Sequence, residues 1–232
     1  QYTSIMNDKH IALIPARKGS VGFKFKNRLF FDRTADFLDS ITWFDNVIVS
    51  SNDSDILDKA SKRDYLIHHR SNNLSDSNTS IKAVMKNVID DMEVSTETYI
   101  WLFYLPILYK NKTDFDNLKK IILNQSANSF CSFIPAEVHP FNCWMYNKKK
   151  LKQYIANDLY RRQDLPEAWM HYHYLCAFKA EEIDSLNSEL ISENTYPIFL
   201  DEKTSDMLVE VDTPKDYEKW KRITNSGSPI EK

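Results

Sequence analysis

The chain has 232 residues, of which 42% are apolar and 27% charged, enough for a sizeable core and unlike a disordered composition. A formal charge of -3 argues against a nucleic-acid binder, and no apolar run approaches the roughly 20 residues of a membrane span. The cysteines, Cys131, Cys143 and Cys176, lie outside any Cys-x-x-Cys spacing, which argues against a disulfide framework or structural zinc site and for a cytoplasmic setting.

The start of the chain is polar, without a signal-peptide core, and 1–9 and 225–232 are expected to be flexible ends around a single domain, 10–224. His10–Ile14 is an apolar run bounded by Pro15 and reads as a buried strand. A helix is expected over Ala35–Phe44, a β-branched strand over Asn46–Ser50, and helices over Ser54–Arg63 and Ser80–Met92. Thr98–Tyr104 reads as a strand, Thr113–Asn124 as a helix and Ser129–Ile134 as a strand. Residues 137–166 are rich in Lys, Tyr and Trp, break this rhythm, and read as an inserted arm or lid. Tyr172–Phe178 and Met207–Val211 read as strands. The last helix, Pro214–Ile223, has a cap in Thr213, proline at its first position, and Asp216 completing a box-like spacing. Continuous apolar strands separated by helices predict an α/β fold, a Rossmann-like, mostly parallel sheet with helices on both faces. In such sheets ligands bind beyond the carboxyl ends of the strands.

The first strand ends in Ile14–Asn27, IPARKGSVGFKFKN. Two of the chain's three glycines, Gly19 and Gly22, fall here among Arg17, Lys18, Lys24 and Lys26. Glycines let backbone amides approach an anion, and the cations suit a polyphosphate. No Gly-Lys-Ser/Thr follows at Walker spacing. Composition alone leaves a solvated basic loop as an equal alternative. Near the far end, Glu210 and Asp212 stand at i and i+2 of the expected strand, so both carboxylates face one side and can share a hard divalent cation. Capping of the last helix accounts for Thr213 but not for Glu210.

The first loop resembles the signature of acylneuraminate cytidylyltransferases, the CMP-sialic acid synthetase family, I-P-A-R-G-G-S-K-G-x-x-x-K-N. It keeps Ile14, Pro15, Ala16, Arg17, Gly19, Ser20, Gly22, Lys26 and Asn27, and departs at Lys18 and Val21. VIVSSN with Asp53 and Asp55 resembles the family's second strand and turn. Arg70, Asp76 and Ser80 match its nucleoside-lining stretch, although Asp76 and Ser80 also suit helix capping. RRQDLP, Arg161–Pro166, matches a family motif without change, and LVEVDTPKD resembles the family's closing motif.

The resemblance implies a fold of the nucleotide-diphospho-sugar transferase type with a dimerisation arm near 137–166. It implies transfer of CMP from CTP to an acidic 2-keto sugar, with release of pyrophosphate. Arg17 and Lys26 would act on the triphosphate. Ala16, Gly19, Ser20, Asn27, Arg70, Asp76 and Ser80 would hold the nucleotide. Arg161, Arg162, Gln163 and Asp164 would border the acceptor, an arginine pair suiting a carboxylate unless it is only bonded to Asp164. Glu210 and Asp212 would hold Mg²⁺, and the protein would be a homodimer with neither nucleic acid nor membrane as partner.

The acceptor side departs from the pattern. Where the family carries Q-P-T-S-P-L-R, this chain has the apolar LFYLPILYK, Leu102–Lys110, and the glycine after RRQDLP is replaced within MHYHYLCAF, Met170–Phe178. This leaves room for another acid, a phosphonate or a deoxy-octulosonate, and for a degenerate homologue acting as a binding or assembly subunit. His171 and His173 alternate on an expected strand but show no third metal ligand, and read as acceptor-site replacements or core residues. Trp144, Trp169 and Tyr172 read as packing or interface residues, and His139–Pro140 resembles the family's H-P before the arm.

Overall fold

The computed structural model describes Ile5 and residues 7–225. The expectation of flexible ends falls largely on residues 1–4, 6 and 226–232, which lie outside the described residues. Ile5 is buried, and Asp8 accepts from Asn46 and from Thr98 Oγ1, so the chain is already packed before the first strand.

Among the described residues, seven strands form one sheet: β1 (His10–Ala16), β2 (Asn46–Ser51), β3 (Leu66–His69), β4 (Tyr99–Leu102), β5 (Ser129–Pro135), β8 (Trp169–Lys179) and β9 (Tyr196–Phe199). Their order is β3-β2-β1-β4-β8-β5-β9. All pairings are parallel except those of β8, which runs antiparallel to both β4 and β5. Every residue of β1 is buried, as a central parallel strand covered on both faces requires.

Alternate β1 residues feed two cores. Ala12 and Ile14 pack with Phe30, Phe31 and Ala35 of α1 (Lys26–Asp39), Ile56 of α2 (Ser54–Ser61), Phe115 and Leu118 of α4 (Lys112–Asn124), and Trp220 of α6 (Pro214–Asn225). Ile11 and Leu13 pack with Met85 and Val88 of α3 (Ile81–Asp91) on the other face. Helices therefore cover both sides, as the alternation of elements implied.

Four details differ from the sequence reading. Pro15 does not end β1, because the strand runs on to Ala16 beside Ser51. The first helix begins at Lys26, nine residues before the expected start, and ends at Asp39, five residues before the expected end; Phe25 precedes it in a left-handed conformation (φ 56°) with no side-chain cap. The expected strand at Met207–Val211 is absent. Asp201 instead caps a short helix, α5 (Glu202–Met207), and Glu210 makes only an isolated bridge to Ile107. β3 and β9 were not expected at all. The arm contains a hairpin of β6 (Trp144–Asn147) and β7 (Lys150–Gln153). Lys148 and Lys149 both take positive φ there, the type I′ geometry that matches strand twist.

Buried polar groups are paired. Ser50 Oγ lies 2.8 Å from His68 Nδ1, and His68 Nε2 lies 3.0 Å from Asp91. The three have the order of a hydrolytic triad, but Ser50 has no solvent exposure, so they tie β2, β3 and α3 together.

Candidate active site

The sheet order reverses direction at β1, with β2 on one side and β4 on the other, which is the switch point where α/β sheets open a crevice. A cleft of about 230 Å³ lies there. Pro15, Arg17, Lys26 and Asn27 enter it from β1, its loop and the start of α1; Arg70 and Asp76 follow β3; Tyr104 and Pro106 follow β4; Glu210 and Asp212 close it.

The loop is fixed by its neighbours. Asn27 Nδ2 donates to the Arg17 main-chain oxygen at 3.0 Å, and the Lys18 amide donates to Asn52 at 2.8 Å. Arg28, in the first turn of α1, binds Asp53 bidentately at 2.8 and 3.0 Å and reaches Asp55 at 2.9 Å. Asp53 is buried and also caps α2; burial would raise its carboxyl, but the bonds from Arg28 and the Asp55 amide hold it below its ordinary value. Gly22 lies against the closing segment, where a Cβ would come 2.8 Å from the Asp212 main-chain oxygen. That close approach is why this position needs glycine.

The charges in the cleft fall into two groups. Arg17 and Arg70 have no carboxylate in ion-pair contact among the described residues, and burial followed by the charge of Arg17 pushes Arg70 down to about 10. Two cations lining one space, one of them desolvated, are a place for a polyanion. Across from them, burial and the charge of Asp212 raise the Glu210 carboxyl, while Lys26 Nζ donates to Asp212 at 2.6 Å. A carboxyl raised by the carboxylate beside it is a place where a shared cation would relieve the repulsion.

The structure thus brings together Arg17, Lys26, Asn27, Arg70, Asp76, Glu210 and Asp212. Asp76 also orders its own loop, accepting from the Asn78 amide and Thr79 Oγ1, and Ser80 caps α3 by accepting from the Ala83 amide. Ala16 is buried within β1, and Gly19 and Ser20 lie in the loop outside the cleft lining. The RRQDLP segment is elsewhere. Arg161 binds Asp164 bidentately at 2.6 and 3.0 Å, and Arg162 lines a second cavity, of about 470 Å³, with His139, Asn142 and Tyr160; Gln163 lies between them in a single helical turn. Thr213 and Asp216 form the expected capping box at 2.9 and 3.2 Å.

Sequence reasoning missed Tyr104, whose hydroxyl burial pushes well above its ordinary value, and Glu189, whose charge acts on both Tyr104 and Glu210. Glu189 stands in a loop with no motif, so only the fold brings it near.

No protein-family model matches the chain, and no curated protein matches it. Solved structures do. A CMP:2-keto-3-deoxy-manno-octonic acid synthetase complexed with CTP matches over 94% of this chain and 99% of its own, at 13% identity and a TM-score of 0.63. A 4-diphosphocytidyl-2C-methyl-D-erythritol synthase matches over 94% and 99%, at 12% identity and a TM-score of 0.58. The 2-C-methyl-D-erythritol 4-phosphate cytidylyltransferase of Francisella tularensis matches over 91% and 99%, at 13% identity and a TM-score of 0.59. At these identities the likeness is one of architecture: the chain has the α/β nucleotidyltransferase fold that these structures share.

Proposed function

We propose that this chain is a cytidylyltransferase that transfers CMP from CTP to the hydroxyl of an acidic 2-keto sugar of the sialate or deoxy-octulosonate kind. The observation that carries this reading is the cleft itself: the Arg17 and Arg70 cations, with no carboxylate in ion-pair contact among the described residues, share one switch-point crevice with the neighbouring carboxylates Glu210 and Asp212. The acceptor oxygen bonds to the α-phosphorus, the bond from that phosphorus to the bridging oxygen breaks, pyrophosphate leaves, and the hydroxyl proton passes to solvent. Catalysis of this kind is mostly positioning and charge stabilisation. Arg17 and Arg70 hold the phosphates, and Lys26 leaves Asp212 to meet the charge that grows on the departing pyrophosphate. Glu210 and Asp212 would hold Mg²⁺, which supplies neutralisation of the triphosphate and lowers the pKa of the attacking hydroxyl.

The acceptor's carboxylate is assigned to RRQDLP through a two-fold dimer. The hairpin arm exposes Trp144, Tyr146 and Leu151, an apolar surface of the sort that marks an interface, and a partner's arm would carry its arginines to this cleft.

The test is thermal denaturation with nucleotides. Millimolar CTP with Mg²⁺ raises the melting temperature, because a ligand that binds only the folded state stabilises it. Arg17→Ala removes most of that shift and leaves the unliganded melting temperature nearly unchanged. No shift with CTP, ATP, GTP or UTP would instead indicate a non-catalytic homologue.

A further inference from the structure

His171 and His173 both lie on β8, with ring centroids 5.2 Å apart. His173 is 10% exposed and His171 41%. A loop brings Glu189 over them. Asn187 Oδ1 fixes that loop by accepting from the amides of Glu189 at 2.9 Å and Ile191 at 3.1 Å, and Leu190 is held in a left-handed conformation, φ 61°. The Nε2 atoms of His171 and His173 stand 3.6 and 3.7 Å from the same Glu189 Oε2.

These distances exceed a hydrogen bond to either ring. They match a different geometry. Zinc bonds of about 2.0–2.1 Å in a tetrahedral arrangement set neighbouring ligand atoms about 3.4 Å apart. The carboxylate oxygen is therefore within a few tenths of an ångström of ligand spacing from both imidazoles at once. Two histidines and one glutamate are a donor set for zinc that leaves a fourth position open to water or another oxygen ligand. Nitrogen donors also discriminate against Mg²⁺ and Ca²⁺, which take oxygen. His173 Nε2 lies 2.8 Å from the Glu189 main-chain oxygen, so ligation would exchange that hydrogen bond for the metal and move the ring proton to Nδ1.

The cluster adjoins the cleft. Tyr104, which lines the cleft, meets the His173 ring edge-on at 5.6 Å. Cys131 and Cys176 also come within ligand reach of His173, but both are buried in the sheet. We propose that His171, His173 and Glu189 form a binding site for one divalent transition-metal ion, zinc by its donor set, beside the cleft and separate from Glu210 and Asp212.

The test uses the full chain, stripped with a chelator and dialysed, and needs no nucleotide. Calorimetric titration with Zn²⁺ is expected to give one ion per chain, undisturbed by excess Mg²⁺. His171→Ala and Glu189→Gln are each expected to weaken binding by at least about 100-fold, since even partners one shell further out cost 10–100-fold. Both side chains are partly exposed, so metal-free melting temperatures near that of the unsubstituted protein verify folding. Cys131→Ser is expected to leave the affinity unchanged, and Co²⁺ in place of zinc to show no thiolate-to-cobalt charge-transfer band. Absence of stoichiometric binding overturns the proposal. So does unchanged affinity in His171→Ala and Glu189→Gln, or loss of binding in Cys131→Ser together with a thiolate band, which would put the ion on the cysteine pair.

Discussion

His10 makes the fold acid-sensitive at its centre. It opens β1, is 6% exposed, and is surrounded by the rings of Trp43, Tyr99 and Trp101. Trp101 Nε1 donates to its Nδ1 at 3.1 Å, so that nitrogen must be unprotonated. Burial, reinforced by the charge of Lys119, lowers its pKa from 6.5 to about 4. The unfolded chain takes up this proton near pH 6.5, whereas the folded chain resists until about 4. Stability is therefore complete above the first value and lost progressively down to the second. A gap of about 2.5 units at 1.36 kcal/mol each is about 3 kcal/mol, a large part of a typical 5–15 kcal/mol. His10→Asn keeps an acceptor near Nδ1 and cannot take up the proton. Urea unfolding of both proteins between about pH 7 and about pH 4 should show the parent losing about 3 kcal/mol more than the variant. Parallel losses in the two proteins would refute the reasoning, because the carboxylates common to both cancel in the difference.

Gly22→Ala should displace the first loop from Asp212 at a cost of about 1–3 kcal/mol, seen as a smaller CTP-induced melting shift; an undiminished shift would contradict the close approach. Asp212→Asn removes an ion pair whose carboxylate is 57% exposed, so stability should fall by less than about 1 kcal/mol, while Mg²⁺-dependent turnover is lost; full activity would sink the metal assignment. Glu210 has a raised pKa in the folded state, so its ionised form costs stability at neutral pH; the cost shrinks as pH falls below that raised value and is gone below the ordinary value of 4.5. Glu210→Gln should accordingly melt higher than the parent at neutral pH in chelator, and no higher in acid. Sedimentation should give a dimer at micromolar concentration that Tyr146→Lys dissociates; a monomeric parent would count against the arm's role.

The parts of the fold legible in the sequence were those dominated by burial. β1 announces itself because Ile11–Ile14 form an unbroken apolar run, and α6 because its capping box is written in three residues. α1 was hidden for the opposite reason. Phe25, at the N-cap, offers no capping oxygen, and its left-handed backbone is held by its setting, with Arg28 over its ring at 4.1 Å. β9 was hidden because it carries Pro197, tolerable only where a strand lies at the sheet edge, and edge position is a property of the whole sheet. Within the site, Arg17, Lys26, Glu210 and Asp212 stood out as charges on or beside apolar runs, and the structure brings them into one cleft. The alternating histidines were visible too, but Glu189 completes them from a loop 16 residues beyond His173, a relation that local spacing does not encode.

The contact between Lys26 and Asp212 has a consequence for how the cleft loads. At 2.6 Å, with the lysine 12% exposed, each group neutralises the other. A polyanion that draws Lys26 away uncovers Asp212 and sharpens the site's attraction for a cation. A cation that claims Asp212 releases Lys26 toward a polyanion. Each ligand thus spares the other the work of separating the pair, and by thermodynamic linkage the two gains in affinity are equal. On the proposed reading the bridge would act as a latch that a complex of cation and polyphosphate opens more readily than either alone.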